Sequence, residues 1–433
     1  MLLVYTNKIT PRLKYIFKHY FIRILQIPVS FTTKVEEFVA HSGPKISYSK
    51  APLGTEFFIR SNDLLFEQGI NDIEINVLKW DDVACFFPTG EKSTIPFDIF
   101  AAGFYLISRY EEYLPHVQDE HERFPSQESI AFKNNFLEKP VIDIWAYKLL
   151  DLLKEYFPNY DYKTRKFKYI STFDVDNAYA YKNKGIVRTI GGFANDVFQL
   201  RLVNFWNRLL TVLNFRNDPF DTYNEILRIH KKYNIETLFF VSLGDYTTFD
   251  KNVSSSNSTY KSLLKSLADY VKVGLHPSYF TLKDEGMLKK EKIRLEQIIN
   301  TPVKFSRQHY LRFSMPETYH TLLDLDILED HTMGYAKQVG FRASTCTPFY
   351  FYDLDFEIQT PLKVFPFAFM DGALKVHMDL SNEDSFATIL KLIDEVKNVN
   401  GTFISLLHND TVSNKGMWEG WKVIYRKMVK ELV

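Results

Sequence analysis

Cysteine is almost absent from this sequence. The 433 residues include only Cys85 and Cys346, too few for the disulfide framework that stabilises small secreted domains. So little cysteine is typical of a reducing compartment. We therefore expect the protein to be cytoplasmic.

Long apolar runs are also lacking. Nowhere do about 18 apolar residues follow one another, so no membrane span is predicted. In residues 1–28 charges are spread throughout, and no small-residue cleavage site follows an apolar stretch. This segment does not have the pattern of a secretory signal peptide.

Neither sign of charge is in excess. Lys and Arg together number 53, as do Asp and Glu, so the chain has no overall field that would attract nucleic acid or an anionic membrane. We expect neither as a partner. Aromatic residues, in contrast, are abundant: the 38 Phe and 26 Tyr suit thick cores and also stacking surfaces for sugars.

Short apolar segments alternate with helical segments along the chain. In residues 1–157 this pattern is typical of an α/β domain, and the polar residues after Pro158 resemble a linker. From residue 165 to 433, seven strand-like pieces separated by helical segments predict a parallel-stranded α/β architecture such as a barrel. The seven pieces are YISTFDV, ETLFFVSL, VKVGLH, VKFSRQHY, GFRAST, LKVFPFAFM and GTFISLLH.

The first of these pieces ends in two aspartates, Asp174 and Asp176. Successive side chains of a strand alternate between faces, so residues two apart should point the same way. Two neighbouring carboxylates repel each other. A metal ion, a bound proton, a cationic neighbour or open water must therefore compensate.

Other strand-like pieces also end in polar residues, and in α/β folds ligand sites assemble at the carboxyl ends of strands. Carboxylate and imidazole ligands suit Zn²⁺ or a similar divalent ion that activates water. Taken singly, each residue has a plainer explanation, such as a hydrogen-bonded histidine, a capping aspartate or a structural ion pair. The candidates are Asp174, Asp176, His276, Arg307, His309, Asp330 and His408.

The order of the motifs resembles that of a known family. STFDVD, TLFFV, GLHPSY, SRQHY, EDHTMGY and SLLH occur in the order found in polysaccharide deacetylases, the NodB-like carbohydrate esterases that remove N- or O-acetyl groups from acetylated sugar polymers. The resemblance covers roughly residues 165–433. It implies an incomplete (β/α) barrel with a divalent metal, zinc in our prediction, at the carboxyl ends of its strands. Residues 1–157 resemble a smaller α/β companion domain that is found at the N-terminal side of some bacterial deacetylase-like proteins and has no established function.

The resemblance also implies a role for each candidate. Asp176 and His276 would be metal ligands, and Arg307 would orient the general base. His408 would be the general acid. Asp174 would be the base, and Asp330 would set the pKa of His408.

Two departures from the family pattern affect these roles. Val175 separates two aspartates that are usually adjacent, which could exchange their roles. The second metal histidine usually follows the first by four positions, and that position is Phe280, which cannot bind a metal. His309 is the best substitute, because it shares a strand face with Arg307. Otherwise waters complete the site, or the ion is absent.

Three functions follow from these observations. The first is a metal-dependent hydrolase that removes acetyl groups from an acetylated sugar or polysaccharide, or from a lipid-linked or nucleotide-linked sugar precursor. The second is a catalytically inactive deacetylase-like protein that binds glycans in envelope polysaccharide assembly. The third is a hydrolase of other carbon–nitrogen bonds in small amides.

Overall fold

The computed structural model describes all 433 residues. Its first part contains a four-stranded parallel sheet, with strands in the order β2-β1-β3-β4, and a separate antiparallel pair, β5 and β6. The strands are β1 Leu2–Thr6, β2 Val29–Thr32, β3 Lys45–Ser49, β4 Phe57–Arg60, β5 Leu78–Trp80 and β6 Val83–Cys85. The helices are α1 Pro11–Lys18, α2 Val35–Ala40, α3 Ile99–Ile107, α4 Tyr110–Tyr113, α5 Ile130–Lys133 and α6 Val141–Tyr156.

The second part is built on a nine-stranded sheet. The strands are β7 Lys168–Val175, β8 Glu236–Val241, β9 Lys272–Leu275, β10 Phe305–Ser306, β11 Glu329–Asp330, β12 Phe349–Asp353, β13 Ile358–Val364, β14 Phe369–Met370 and β15 Thr402–His408. The helices are α7 Ile186–Phe198, α8 Leu202–Val212, α9 Tyr223–Tyr233, α10 Ser258–Tyr270, α11 Glu285–Ile299, α12 Glu317–Asp324, α13 Asn382–Asn398 and α14 Trp421–Leu432.

The strand order of this sheet is β12-β13-β11-β10-β9-β8-β7-β15-β14. Every neighbouring pair is parallel except β12 and β13. β7 lies between β8 and β15 and is buried on both faces beyond its first residue, as is typical of parallel strands that are covered on both sides. The predicted parallel-stranded α/β architecture is therefore confirmed. One predicted strand is wrong: residues 340–345, GFRAST, form turns.

The two parts share one hydrophobic core. A single cluster of 98 buried residues includes side chains from both sheets, and the Tyr15 ring of α1 packs 4.9 Å from the Tyr352 ring of β12. Residues 158–167 have no regular secondary structure, but Arg165 there donates to the Asp143 carboxylate at 2.7 Å. The division into units 1–157 and 165–433 stays a prediction.

A buried charge network also joins the two parts. Arg342 binds Glu112 through two hydrogen bonds of 2.9 and 2.7 Å, and Arg109 donates to the same carboxylate at 2.7 Å. All three side chains are buried. Removing one partner of such a network typically costs about 3 to 5 kcal/mol, on the order of a third of a domain's stability.

No helix is both long enough and apolar enough to cross a bilayer.

One buried histidine makes the stability of this core sensitive to acid. His19 is 0% exposed, neither ring nitrogen has a hydrogen-bond partner, and burial together with the nearby Arg23 lowers its pKa to about 3. The unfolded chain binds a proton at this histidine more tightly than the folded chain does. The stability that neutral His19 contributes is therefore fully present above pH 6.5 and is lost as the pH falls toward 3. We expect His19→Phe to abolish an acid-induced loss of roughly 3 kcal/mol in unfolding free energy between pH 7 and pH 4.

Urea unfolding between pH 7 and pH 4 would measure this difference. His116→Phe changes a half-buried histidine of the same part and is the control, which should keep the wild-type pH dependence. Equal acid sensitivity in the His19→Phe protein would contradict the prediction.

Candidate active site

Two aspartates lie where β7 ends. Asp174 is buried within the strand and Asp176 follows it, half-exposed. His276 Nε2 lies 3.9 Å from Asp174 Oδ2 and 3.1 Å from Asp176 Oδ1. The prediction that both carboxylates point the same way is therefore confirmed.

His276 and His309 follow the neighbouring strands β9 and β10, and their rings lie 4.9 Å apart. His276 Nδ1 lies 2.6 Å from the carbonyl oxygen of Arg307, and His309 Nδ1 lies 2.8 Å from Asp250 Oδ1. Both partners accept, so each Nδ1 is the donor. In the neutral form of each ring the lone pair is then on Nε2, which is the tautomer that binds metals.

These side chains form a donor set that fits a divalent cation. One ligand atom from each of Asp176, His276 and His309 lies within 4.8 Å of the others. Asp176 Oδ1 is buried and has no hydrogen-bond partner, although His276 Nε2 is close to it. One carboxylate and two imidazoles with an open position are ligands that catalytic Zn²⁺ uses.

His408, the last residue of β15, completes the group. Its Cα pairs with that of Asp174 across the sheet, and its Nε2 lies 3.7 Å from Asp176 Oδ2. Its Nδ1 lies 2.8 Å from Asp371 Oδ1, and its backbone N–H donates to Asp371 Oδ2 at 2.7 Å. Asp371 thus fixes both the main chain and the ring of His408.

Asp330 does not partner His408, and that prediction is wrong. The Asp330 carboxylate accepts hydrogen bonds from Ser306, Thr332 and Tyr319, and it is fully buried. The reason is the order of the strands. β11 ends at Asp330 and is separated from β15 by four strands. β14 ends just before Asp371 and is the direct neighbour of β15.

Arg307 lies behind Asp174. Its Nη1 donates to Asp174 Oδ1 at 2.9 Å and its Nε donates to the carbonyl oxygen of His331 at 2.9 Å. The guanidinium is fully buried and its Nη2 has no partner. Phe240 lies under it, with the Arg307 Cζ 4.5 Å from the ring centre. This packing and the two hydrogen bonds hold the Asp174 carboxylate in one orientation.

Phe280 takes no part in the donor set. Its side chain is 43% exposed, and its ring packs against Phe249 and Tyr279. Asp250 and Asp371 are not among the candidates that the sequence predicts. Asp371 directly follows the strand-like piece LKVFPFAFM, so the strand-end pattern could have found it. Asp250 lies in a polar loop with no such signal.

The charges of the site stabilise one another. Burial alone would raise the pKa of Asp176, but the imidazoles of His309, His276 and His408 outweigh burial and hold it well below its usual range. Burial lowers the pKa of His309, yet Asp176 and Asp250 together raise it to about 9. Burial acts likewise on His408, whose pKa is nevertheless raised well above the ordinary value, chiefly by Asp371. The His408 imidazole is therefore protonated at neutral pH and can deliver its proton to a leaving group.

A cavity of about 310 Å³ opens over these residues. Phe249, Tyr310 and Met370 contribute apolar surface, and Arg123 comes from the first part of the chain. A second cavity of about 150 Å³ shares Arg123, Leu311 and Ala336 with the first and continues toward Ser126 and Gln127. Together they form a cleft with the aspartates and histidines in one half.

Comparison with protein families gives one match. Residues 2–158 match a family of unknown function, DUF7033. No curated protein matches the sequence. The matched family covers the first part of the chain and leaves the candidate site outside it.

Solved structures similar to this chain include two polysaccharide deacetylases and a CE4 family pseudoenzyme. A candidate polysaccharide deacetylase from Mycobacterium smegmatis is 12% identical, with 63% of this chain and 86% of that chain covered and a TM-score of 0.38. The polysaccharide deacetylase Bc1974 from Bacillus cereus is 13% identical, with coverage of 62% and 87% and a TM-score of 0.29. BA3943 from Bacillus anthracis, a CE4 family pseudoenzyme, is 12% identical, with coverage of 61% and 62% and a TM-score of 0.30. Since these scores are all low, they carry no argument about the activity of this chain.

Proposed function

We propose that this protein is a metal-dependent hydrolase that removes acetyl groups from an acetylated sugar or polysaccharide. The observation that carries the proposal is the convergence of three imidazole Nε2 atoms on Asp176, beside an aspartate held by Arg307. The motif resemblance to polysaccharide deacetylases supplies the substrate class and the expectation that the nine-stranded sheet is an incomplete NodB-like barrel.

In this proposal Asp176, His276 and His309 hold the cation, most suitably Zn²⁺. When bound, it polarises the acetyl carbonyl and lowers the pKa of a water molecule toward neutrality. Asp250 and the Arg307 carbonyl oxygen keep the two imidazoles in the tautomer and orientation that binding requires. Loss of such a supporting partner typically weakens metal binding or activity by about tenfold to a hundredfold.

Asp174 acts as the general base. Arg307 occupies one of its oxygens at 2.9 Å, and the carboxylate lines the cavity, so the other oxygen is available to take a proton from the attacking water. Tyr310 also lines the cavity, and its backbone N–H is our candidate donor to the oxyanion. One such donor is worth about 3 to 4 kcal/mol in other acyl-transfer enzymes.

His408 acts as the general acid. Asp371 keeps it protonated at neutral pH, and its Nε2 faces the same cavity as Asp174. After the acyl carbon is attacked, His408 delivers its proton to the departing amine or alcohol. The base and the acid therefore act on the water and on the leaving group, respectively.

The cleft favours an oligosaccharide or polysaccharide over a small amide. It continues past Arg123 into the second cavity, whose wall includes hydroxyl, amide and charged groups from the first part of the chain. Sugar hydroxyls are recognised by such groups, and Phe249 and Tyr310 offer faces for stacking. We assign the N-terminal part the role of binding the sugars that flank the reacting unit.

Metal content tests this proposal. Protein purified without chelator should hold about one equivalent of Zn²⁺ and release acetate from oligomers of N-acetylglucosamine. We expect His309→Ala to weaken Zn²⁺ binding by at least about tenfold to a hundredfold, because a ligand is lost. Phe280→Ala is the matched control and should bind the metal as the wild type does.

Less than about a tenth of an equivalent of any divalent metal, with failure to reconstitute, would contradict the proposal. That result would favour a glycan-binding protein without catalysis. Unchanged Zn²⁺ affinity in His309→Ala would instead remove His309 from the ligand set.

A further inference from the structure

Helices α7 and α8 form a hairpin with an apolar outer surface. Along α7 the exposed apolar positions include 186, 190, 194 and 197, and along α8 they include 202, 206 and 213, which is the spacing of one helix face. The turn and the helix ends beside it are apolar as well: Phe198 at the end of α7 is 90% exposed, Leu200 in the turn 83% and Val203 in the first turn of α8 74%. Surface helices of soluble proteins usually turn such a face inward.

The polarity of this hairpin is inverted. Between its helices lies an ion pair in which Arg208 Nε donates to Asp196 Oδ2 at 2.7 Å, and the Asp196 side chain is buried. The Arg208 guanidinium also lies over the Phe193 ring. Gly192 makes this approach possible, because a Cβ there would lie 2.3 Å from the Arg208 Nη1. The polar groups are therefore inside and the apolar side chains outside.

The hairpin and its base are also strongly basic. Residues 182–216 contain six Lys or Arg and one Asp, a net charge of +5 in a chain whose total is zero. Arg201 lies in the apolar turn itself and is exposed. Apolar side chains that include an exposed Trp206, together with surrounding Lys and Arg, are the composition of elements that lie in the interface of an anionic bilayer.

The hairpin is anchored next to the candidate active site. Arg188 of α7 donates to the carbonyl oxygen of Asn252 at 2.9 Å. Asn252 in turn donates to the carbonyl oxygen of Val175, the residue between the two aspartates. The hairpin therefore rises from the same edge of the sheet as the cleft.

From these observations we infer that the α7–α8 hairpin docks the protein on an anionic lipid bilayer. The apolar turn enters the boundary between headgroups and acyl chains, and the exposed Arg201 and Arg216 contact the lipid phosphates. Arg208 is paired with Asp196 and Arg188 is bonded to Asn252, so these two are not among the lipid contacts. A contiguous set of exposed apolar side chains marks an interaction site, and the accompanying positive charge selects an anionic lipid surface over an uncharged partner. This inference goes beyond the proposed hydrolase activity and does not depend on it.

Vesicle flotation with the full chain tests the inference. The protein should bind vesicles of phosphatidylglycerol and phosphatidylcholine at least about tenfold more tightly than vesicles of phosphatidylcholine alone, and added salt should reduce the difference. Phe198→Asp should lower binding to the anionic vesicles by about tenfold or more, because a large apolar side chain no longer enters the lipid. Arg201→Glu should weaken binding to the anionic vesicles only.

Two controls match these variants. Phe356→Asp changes a phenylalanine that is 66% exposed in another region, and Lys265→Glu reverses an exposed charge on α10. Both should bind vesicles as the wild type does. Absence of binding to anionic vesicles, or equal binding by wild type and Phe198→Asp, would overturn the inference. A dimer that Phe198→Asp dissociates, without any vesicle binding, would assign the surface to a second copy of the chain and overturn it equally.

Discussion

Asp174→Asn should lower the turnover number by about a thousandfold or more and leave the Zn²⁺ content near that of the wild type. A general base contributes roughly 10²- to 10⁴-fold to the rate, and an amide cannot take the proton. Asparagine keeps the size of the side chain and an oxygen that can accept from Arg307 Nη1, so the surrounding packing is preserved. Acetate release and elemental analysis of the same preparation measure both quantities.

Asp176→Asn is the matched comparison for this variant. Its carboxylate belongs to the donor set with His276 and His309, so the protein should lose most of its metal along with its activity. The two aspartates would have exchanged roles if Asp174→Asn removes the ion and Asp176→Asn retains it. Full activity in the Asp174→Asn protein would contradict the assignment of the base altogether.

The second large effect is expected for Asp371→Asn. Burial lowers the pKa of His408 and the Asp371 charge outweighs it, so removing that charge lowers the pKa. A general acid must be protonated to act; activity is therefore present below the pKa of His408 and lost above it. We expect the alkaline limb of the pH–rate profile to move to lower pH, with about a hundredfold loss at pH 8.

Asp330→Asn distinguishes this role from a general effect of a buried charge. Asp330 is as buried as Asp371 but bonds to Ser306, Thr332 and Tyr319 and not to His408. The variant should lose stability while its alkaline limb stays at the wild-type pH. A shift of that limb in Asp330→Asn and none in Asp371→Asn would restore the role that the sequence predicts for Asp330.

The strand-end pattern predicted much of the site because it depends only on local sequence. A short strand rich in apolar residues that ends in a polar one can be recognised without knowing its neighbours, and Asp174, His276 and His408 follow this pattern. All of them line one cavity. Their contacts agree with the ligand and acid roles, which remain proposals.

The partner of His408 could not be predicted in the same way. Asp330 and Asp371 both end or follow an apolar strand, and local sequence does not distinguish them. Only the order of strands in the sheet does so, because β14 pairs with β15 in register with Met370 opposite Leu406. Strand order depends on packing between residues far apart in the chain.

The basic hairpin was missed for a related reason. A formal charge of zero excluded an anionic membrane from the expected partners, but that value averages over 433 residues. The five excess positive charges of residues 182–216 are balanced elsewhere in the chain. Charge must be counted over a structural element before a partner is excluded.

The common core limits how this gene can change by recombination. A shortened gene for residues 165–433 alone would leave Arg342 without Glu112 and would expose the Tyr352 surface that Tyr15 covers. The product would carry the Arg342 guanidinium without its carboxylate partner and an exposed apolar surface around Tyr352 that favours aggregation. The two parts of the chain are thus expected to be inherited together. A fusion that transfers only the second part to another protein is not expected to fold.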